Sequence, residues 1–151
     1  MKTLYILRHA KSSWDFEELS DHDRPLNKRG RNDAQMMGHE LASRGIKPAL
    51  IVSSSAVRAL STATLVGKEM EYEPEDIVVT ERIYGADKHE LLDVIHDTPA
   101  DADSVMLVGH NEPISEFANM LSPEHIVSLP TTGIIALEFD CDSWYDISKE
   151  N

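Results

Sequence analysis

Short apolar runs alternate with segments of helical spacing from Thr3 to Phe139. That alternation restricts the chain to a mainly parallel sheet with helices packed on both faces. Thr3–Leu7, Ala49–Ser53, Ile77–Thr80, Ser104–Val108 and Ile134–Phe139 read as strands. A first helix is predicted from about Lys28 to Ser43, with Asn27 as its N-cap, Gly45 past its end and Ala34, Met37 and Leu41 as its buried stripe. Val57, Leu60, Ala63, Thr64 and Gly67 mark a second helix ending near Met70. Leu91, Leu92 and Ile95 mark a third, and residues 113–121 a fourth. The expected architecture is a single-domain, three-layer α/β/α fold over residues 1–151. Right-handed crossovers gather its post-strand loops along one sheet edge. Residues 12–26 are polar and irregular, and are expected to form a flap over that edge. The last few residues are expected to be loose.

At 151 residues the chain is long enough to bury a self-sufficient core. No apolar stretch has the length of a membrane span, and no leader pattern opens the sequence, so the cytoplasm is the expected compartment. The single Cys141 excludes an internal disulfide and a cysteine-rich zinc site. The net charge of -13 is unevenly placed: residues 1–58 hold 10 Lys/Arg against 7 Asp/Glu, and residues 59–151 hold 4 against 20. Nucleic acid and anionic membrane are therefore not expected as partners, because both would be repelled. An anionic substrate would need a local basic pocket built mainly from the first third. The remaining acidity reads as solvated surface.

Three predicted strands end in polar segments that carry chemistry: Arg8-His9, Ser53-Ser54-Ser55-Ala56-Val57-Arg58, and Gly109-His110-Asn111-Glu112. Arg keeps its charge and offers a planar fork matched to phosphate, while neutral His is a nucleophile near pH 7. Gly109 allows close backbone approach, and His110 precedes a helix whose positive end suits an anion. Two Arg and two His from separate loops can surround a phosphoryl group and stabilise its oxygens in the transition state. Ser12, Ser13 and Thr132 read as ordinary loop hydroxyls, with phosphate contact as the alternative, and Trp14 as the anchor of its loop rather than a substrate platform. Met36 and Met37 read as core filler and flank. His22 between Asp21 and Asp23, and His89 with His96, lack the spacing of a zinc site and read as surface. No Walker lysine loop, dinucleotide turn or serine-hydrolase elbow is present, which argues against P-loop, dinucleotide and serine-hydrolase readings, and no cofactor is expected.

In order and spacing these segments resemble the histidine phosphatase superfamily, the phosphoglycerate-mutase-like fold. The match comprises the Arg8-His9-Ala10 opening, the run Ser54-Ser55-Ala56-Val57-Arg58-Ala59-Leu60-Ser61-Thr62-Ala63, and the late Val108-Gly109-His110-Asn111. Asp23-Arg24-Pro25-Leu26-Asn27-Lys28-Arg29-Gly30 is similar to the family's link into its first helix. The short length and the Arg8-to-Trp14 opening look most like the compact phosphohistidine phosphatase (SixA-type) branch. The resemblance implies that His9 becomes phosphorylated, that Arg8, Arg58 and His110 complete the phosphate pocket, and that two Arg replace a metal's charge. Glu81, in Glu81-Arg82-Ile83-Tyr84-Gly85, resembles the proton-donating Glu of mutases. To serve as an acid it must be buried; its alternative is surface pairing with Arg82 or Lys88. Ala10 stands where Gly is common and Ser55 where Pro is common, and neither change removes a catalytic group. Asp15 stands where mutases carry a substrate-contacting Asn, which argues against mutase chemistry. The implied substrate is a phosphorylated protein or a small phosphorylated metabolite. The alternatives are a phosphoglycerate-mutase-type phosphotransferase and a non-catalytic phosphate-binding module. Oligomeric state is not legible.

Overall fold

Alternation along each strand divides the apolar residues between two cores. The computed structural model describes residues 1–126 and 128–149. Strands β1 (Lys2–Arg8), β2 (Leu50–Ser54), β3 (Val78–Thr80), β4 (Ser104–Gly109) and β5 (Ile134–Phe139) form one sheet in the order β3-β2-β4-β1-β5. The first four are parallel, and β5 pairs antiparallel with β1. Leu4, Ile6, Val52, Val105 and Leu107 point to one face, against α3 (Lys88–His96) and α4 (Pro113–Leu121). Leu7, Ile51, Met106 and Val108 point to the other, against α1 (Lys28–Ser43) and α2 (Val57–Glu69). This is the period-2 pattern expected of strands buried on both sides.

Helix starts follow local chemistry. Asn27 Oδ1 accepts from the Gly30 N–H at 2.7 Å, as its expected capping role requires. Asp87 and Glu90 form a reciprocal capping box at α3. At α2 the N-cap is Ala56 and no side chain caps the helix; Ala56 O accepts from the Ala59 and Leu60 N–H groups.

The buried stripe of α1 differs from the expected one. Met37 is only partly buried, and Gly30 and Gly38 join Ala34 and Leu41 inside. A Cβ on Gly38 would come within 2.8 Å of Val66 O, so α1 approaches α2 backbone to backbone and leaves no room for Met37 there. Met36 is exposed. The third strand begins at Val78; Ile77 lies just before it and is buried. Near the C-terminus, a 3-10 turn at Trp144–Asp146 buries Trp144 fully, and its Nε1–H donates to Ala102 O at 2.6 Å. The chain is thus anchored as far as Trp144–Asp146. Glu150 and Asn151 lie outside the described residues.

Gly30 couples the helical layer to the sheet edge where β1 ends. A Cβ there would sit 2.0 Å from Lys11 O, which itself accepts from the Asn27 N–H. Gly30→Ala is expected to destabilise the fold by about 1–3 kcal/mol, because backbone rather than a flexible side chain must move. A lower urea midpoint at unchanged slope checks this.

Candidate functional site

The sheet order brings distant residues to one crevice. The chain leaves β1 toward the face carrying α1 and leaves β4 toward the face carrying α4, yet β1 and β4 are neighbours. Ligands bind at such a switch point, beyond the carboxyl ends of the strands. Register sets Arg8 opposite Gly109, so His9 and His110 follow side by side, with ring centroids 5.2 Å apart. A Cβ on Gly109 would lie 2.8 Å from Ile114 Cγ2, which explains the glycine. Because β5 is antiparallel, its start arrives at the same edge. Arg8 N–H donates to Gly133 O, and Thr132 N–H to His9 O.

His9 is 8% exposed. Its Nδ1 lies 2.7 Å from Ala10 O, and a carbonyl only accepts, so Nδ1 carries the hydrogen and Nε2 keeps the lone pair. Burial pushes its pKa down to about 4; the Ala10 hydrogen bond opposes this, and nearby Arg58, Arg8 and Arg24 lower it further. Thr62 Oγ1 accepts from Ala10 N–H at 2.9 Å and donates to Arg58 O, tying the backbone after His9 to α2. His110 Nε2 lies 2.8 Å from Ser54 Oγ. Burial first, then His9 and Arg58, push its pKa down to about 3. The crevice thus holds two neutral imidazoles among cations.

Arg8 donates to Leu129 O at 2.9 Å. Arg58, buried on the first turn of α2, donates to Asp21 twice: Nη1 to the main-chain O at 2.6 Å and Nη2 to Oδ2 at 3.0 Å. Among the described residues, the buried side-chain atoms without a hydrogen-bond partner are Arg8 Nε, Arg58 Nε, His110 Nδ1 and Thr132 Oγ1. All four belong to residues around His9. Buried polar groups are ordinarily satisfied, so this clustering marks a polar ligand site. Thr132 therefore stands beside His9, which favours a phosphate-contacting hydroxyl over the ordinary loop hydroxyl expected of it; its φ of 62° belongs to a tight turn that sequence pattern does not reveal.

The flap contributes more than its composition suggests. Ser12 bridges to Leu26, and Arg24, 8% exposed, donates to Ser12 Oγ, Ser13 O and Asp21 Oδ1. Trp14, expected as the anchor of its loop, is 75% exposed, and its ring lies 3.6 Å from the Arg24 guanidinium and covers that cation within the same loop. Asp15 is exposed. His22 is partly exposed, and its ring is held in place: Nε2 lies 2.9 Å from Ser55 Oγ, and the ring meets Tyr84 edge-on. Tyr84 donates to Asp21 Oδ2 at 2.8 Å and packs against His110. Asp21, Arg24, His22 and Tyr84 were not expected site members; only the family-like link at Asp23–Gly30 hinted at Arg24. Glu81 lies exposed in the turn after β3, and the burial its acid role needs is not there. A cavity of about 360 Å³ beside His110 is lined from that turn by Ile83 and Tyr84, and from elsewhere by Asp21, Arg58 and Ile114. Among the described residues, no group of three or more His, Cys, Asp or Glu is placed to hold a metal ion. Among the described residues, no helix is long and apolar enough to cross a membrane.

Residues 4–87 match the family described as the histidine phosphatase superfamily (branch 1). An uncharacterised chloroplastic protein of Arabidopsis thaliana is 35% identical over 95% of this chain and 69% of its own length. An uncharacterised protein of Mycobacterium tuberculosis is 28% identical over 93% of this chain and 91% of its own. Among solved structures, a protein assigned as phosphohistidine phosphatase SixA of Agrobacterium tumefaciens superposes with a TM-score of 0.81 at 31% identity, over 91% of each chain. The protein histidine phosphatase SixA with tungstate also superposes at 0.81, over 91% of this chain and 88% of that one. At 22% identity that second likeness concerns the fold alone.

The two depressed imidazoles set a pH dependence of stability. Below about pH 6.5 the unfolded chain takes up protons at positions 9 and 110 that the folded chain refuses. Stability should therefore fall on acidification from about 6.5, until the folded rings protonate near 4 and 3. In His9→Asn the loss between pH 7.5 and pH 5 should shrink by on the order of 1–2 kcal/mol. Denaturant titrations at the two pH values check this, and equal losses in both proteins would refute it.

Proposed function

The chain belongs to the histidine phosphatase superfamily, and from that premise we propose a metal-independent phosphatase that works through phosphorylated His9. Its substrate class is a phosphohistidine protein or a small phosphomonoester. The observation that carries this reading is the ring of unpartnered buried polar atoms around a neutral imidazole whose Nε2 is free.

In the first step the His9 Nε2 lone pair bonds to phosphorus as the bond to the leaving group breaks in line. Arg8 and Arg58 donate to the equatorial oxygens, and the uncapped amides of α2 add to the same positive field. Ser54 Oγ accepts from Ala56 N–H, so its own hydrogen can point to His110 Nε2. That leaves the His110 hydrogen on Nδ1, as a further donor to the phosphoryl group. Thr132 Oγ1 supplies a hydroxyl. Charge delivered by arginines takes the place that Mg²⁺ occupies in other phosphoryl-transfer sites. Water then attacks phospho-His9, releasing inorganic phosphate and restoring the ring. Asp21, at the cavity, has a side chain 53% exposed, and this access for water favours hydrolysis over return of the phosphoryl group to substrate.

His9→Ala should lower phosphate release from a phosphohistidine peptide and from 4-nitrophenyl phosphate by roughly 10⁴-fold or more. Base-quenched wild type, but not the variant, should carry labelled phosphohistidine. Arg58→Ala should lower kcat about 10²–10³-fold, with a much smaller change in the urea midpoint. Turnover retained by His9→Ala would overturn the mechanism.

A further inference from the structure

Resting on the phospho-His9 reading, we propose that Asp21 is a specificity-determining residue: its carboxylate accepts the N–H of a protonated phosphoimidazole and so favours phosphohistidine over phosphomonoesters. Its surroundings define the exchange. Oδ1 accepts from Arg24, and Oδ2 accepts from both Arg58 Nη2 at 3.0 Å and Tyr84 Oη at 2.8 Å. A phosphoryl group entering beside His9 competes for the Arg58 fork. Once Arg58 turns its N–H groups to phosphoryl oxygens, Oδ2 keeps Tyr84 and regains an acceptor position. That position faces the cavity whose walls are His110, Tyr84, Ile83 and Ile114. These walls suit a flat, partly apolar ring with one N–H, which is what an imidazole leaving group presents. The rings already there, His110 and His22, both meet Tyr84 edge-on, so an aromatic surface is in place.

The chemistry separates the two substrate classes. In a phosphohistidine protonated on its second nitrogen, His9 Nε2 forms the new N–P bond while the substrate's N–P bond breaks. The electron pair stays on the ring nitrogen that carried phosphorus, the proton remains on the other, and a neutral imidazole departs. No enzymic acid is needed at the leaving atom. A carboxylate on the distal N–H stabilises the reactive cationic form. An alkyl phosphate instead needs a proton on its leaving oxygen. Hydrogen bonds from Tyr84 and Arg58 hold the Asp21 pKa down to about 2, so it has none to give, and its charge opposes the phosphate dianion. The exposed position of Glu81 fits a site that works without an acid.

Asp21→Asn keeps the shape of the side chain and removes its charge. The readout is the ratio of kcat/KM for a phosphohistidine peptide to that for 4-nitrophenyl phosphate, whose leaving group also departs unaided but brings no cationic N–H. The ratio should fall about tenfold or more in Asp21→Asn, with aryl phosphate turnover raised. Equal gains on both substrates would mean that Asp21 only competes with phosphate for Arg58, and equal losses that it only supports the fold; either overturns the proposal. A wild-type protein that forms no base-stable phosphohistidine and releases no phosphate from either substrate would overturn the phosphatase mechanism itself, and the role of Asp21 with it.

Discussion

Parallel pairing of β1 with β4 is the constraint on which the site depends. Arg8 opposite Gly109 puts His9 and His110 one residue beyond a shared register, and backbone hydrogen bonds hold both strand ends. A shift of one residue would send an imidazole to the opposite face of the sheet. The His9 N–H to Gly109 O bond extends this pairing past the strands and into the crevice. Antiparallel β5 then closes the other flank of β1, bringing Thr132 and Gly133 to a site far from them in sequence.

Electrostatics at that edge follow from what burial does to each group. Guanidinium stays charged when partly desolvated, and imidazole does not. Burial first, and then three nearby arginines, therefore keep the His9 ring neutral, the state a nucleophile needs, while the same arginines present positive charge to an anion. The acidic surface of the rest of the chain does not cancel this, because solvent screens charges lying more than about 10 Å apart. Asp21 is the exception: it reaches the cluster directly and meets Arg24, Arg58 and Tyr84 together.

The flap links this electrostatics to specificity. Its length would allow many conformations, yet buried Arg24 stitches it to Ser12, Ser13 and Asp21, and Trp14 covers the same guanidinium. A cation thus organises a segment that has almost no apolar core of its own. The price of ordering such a loop is entropic. Its return is a defined position for Asp21 at the mouth of the cavity. Members of a superfamily that share one phosphoryl-transfer centre can differ in leaving group through such a loop, without changing the centre itself.

Strand and helix positions were legible because apolar periodicity is a local property: α4 and β5 match their expected bounds, and α1 and β4 lie within a residue of theirs. Arg8, His9, Arg58 and His110 were legible as polar residues at the ends of strands, and a parallel sheet gathers such ends at one edge. Thr132, Asp21, Arg24, His22 and Tyr84 were not, because nothing local distinguishes them from loop residues; their contacts join residues far apart in sequence, such as Thr132 with His9 and, 63 positions apart, Tyr84 with Asp21. The same limit explains Trp14 and Glu81. Whether a side chain is buried depends on what a loop folds against, and that partner is chosen by packing across the molecule. Apolar periodicity by itself determined the layers, and with them the sheet edge at which Arg8, His9, Arg58 and His110 gather. Tertiary contact alone decided which loop residues meet those four, since hydrogen bonds and desolvation act between groups that the chain brings together only on folding.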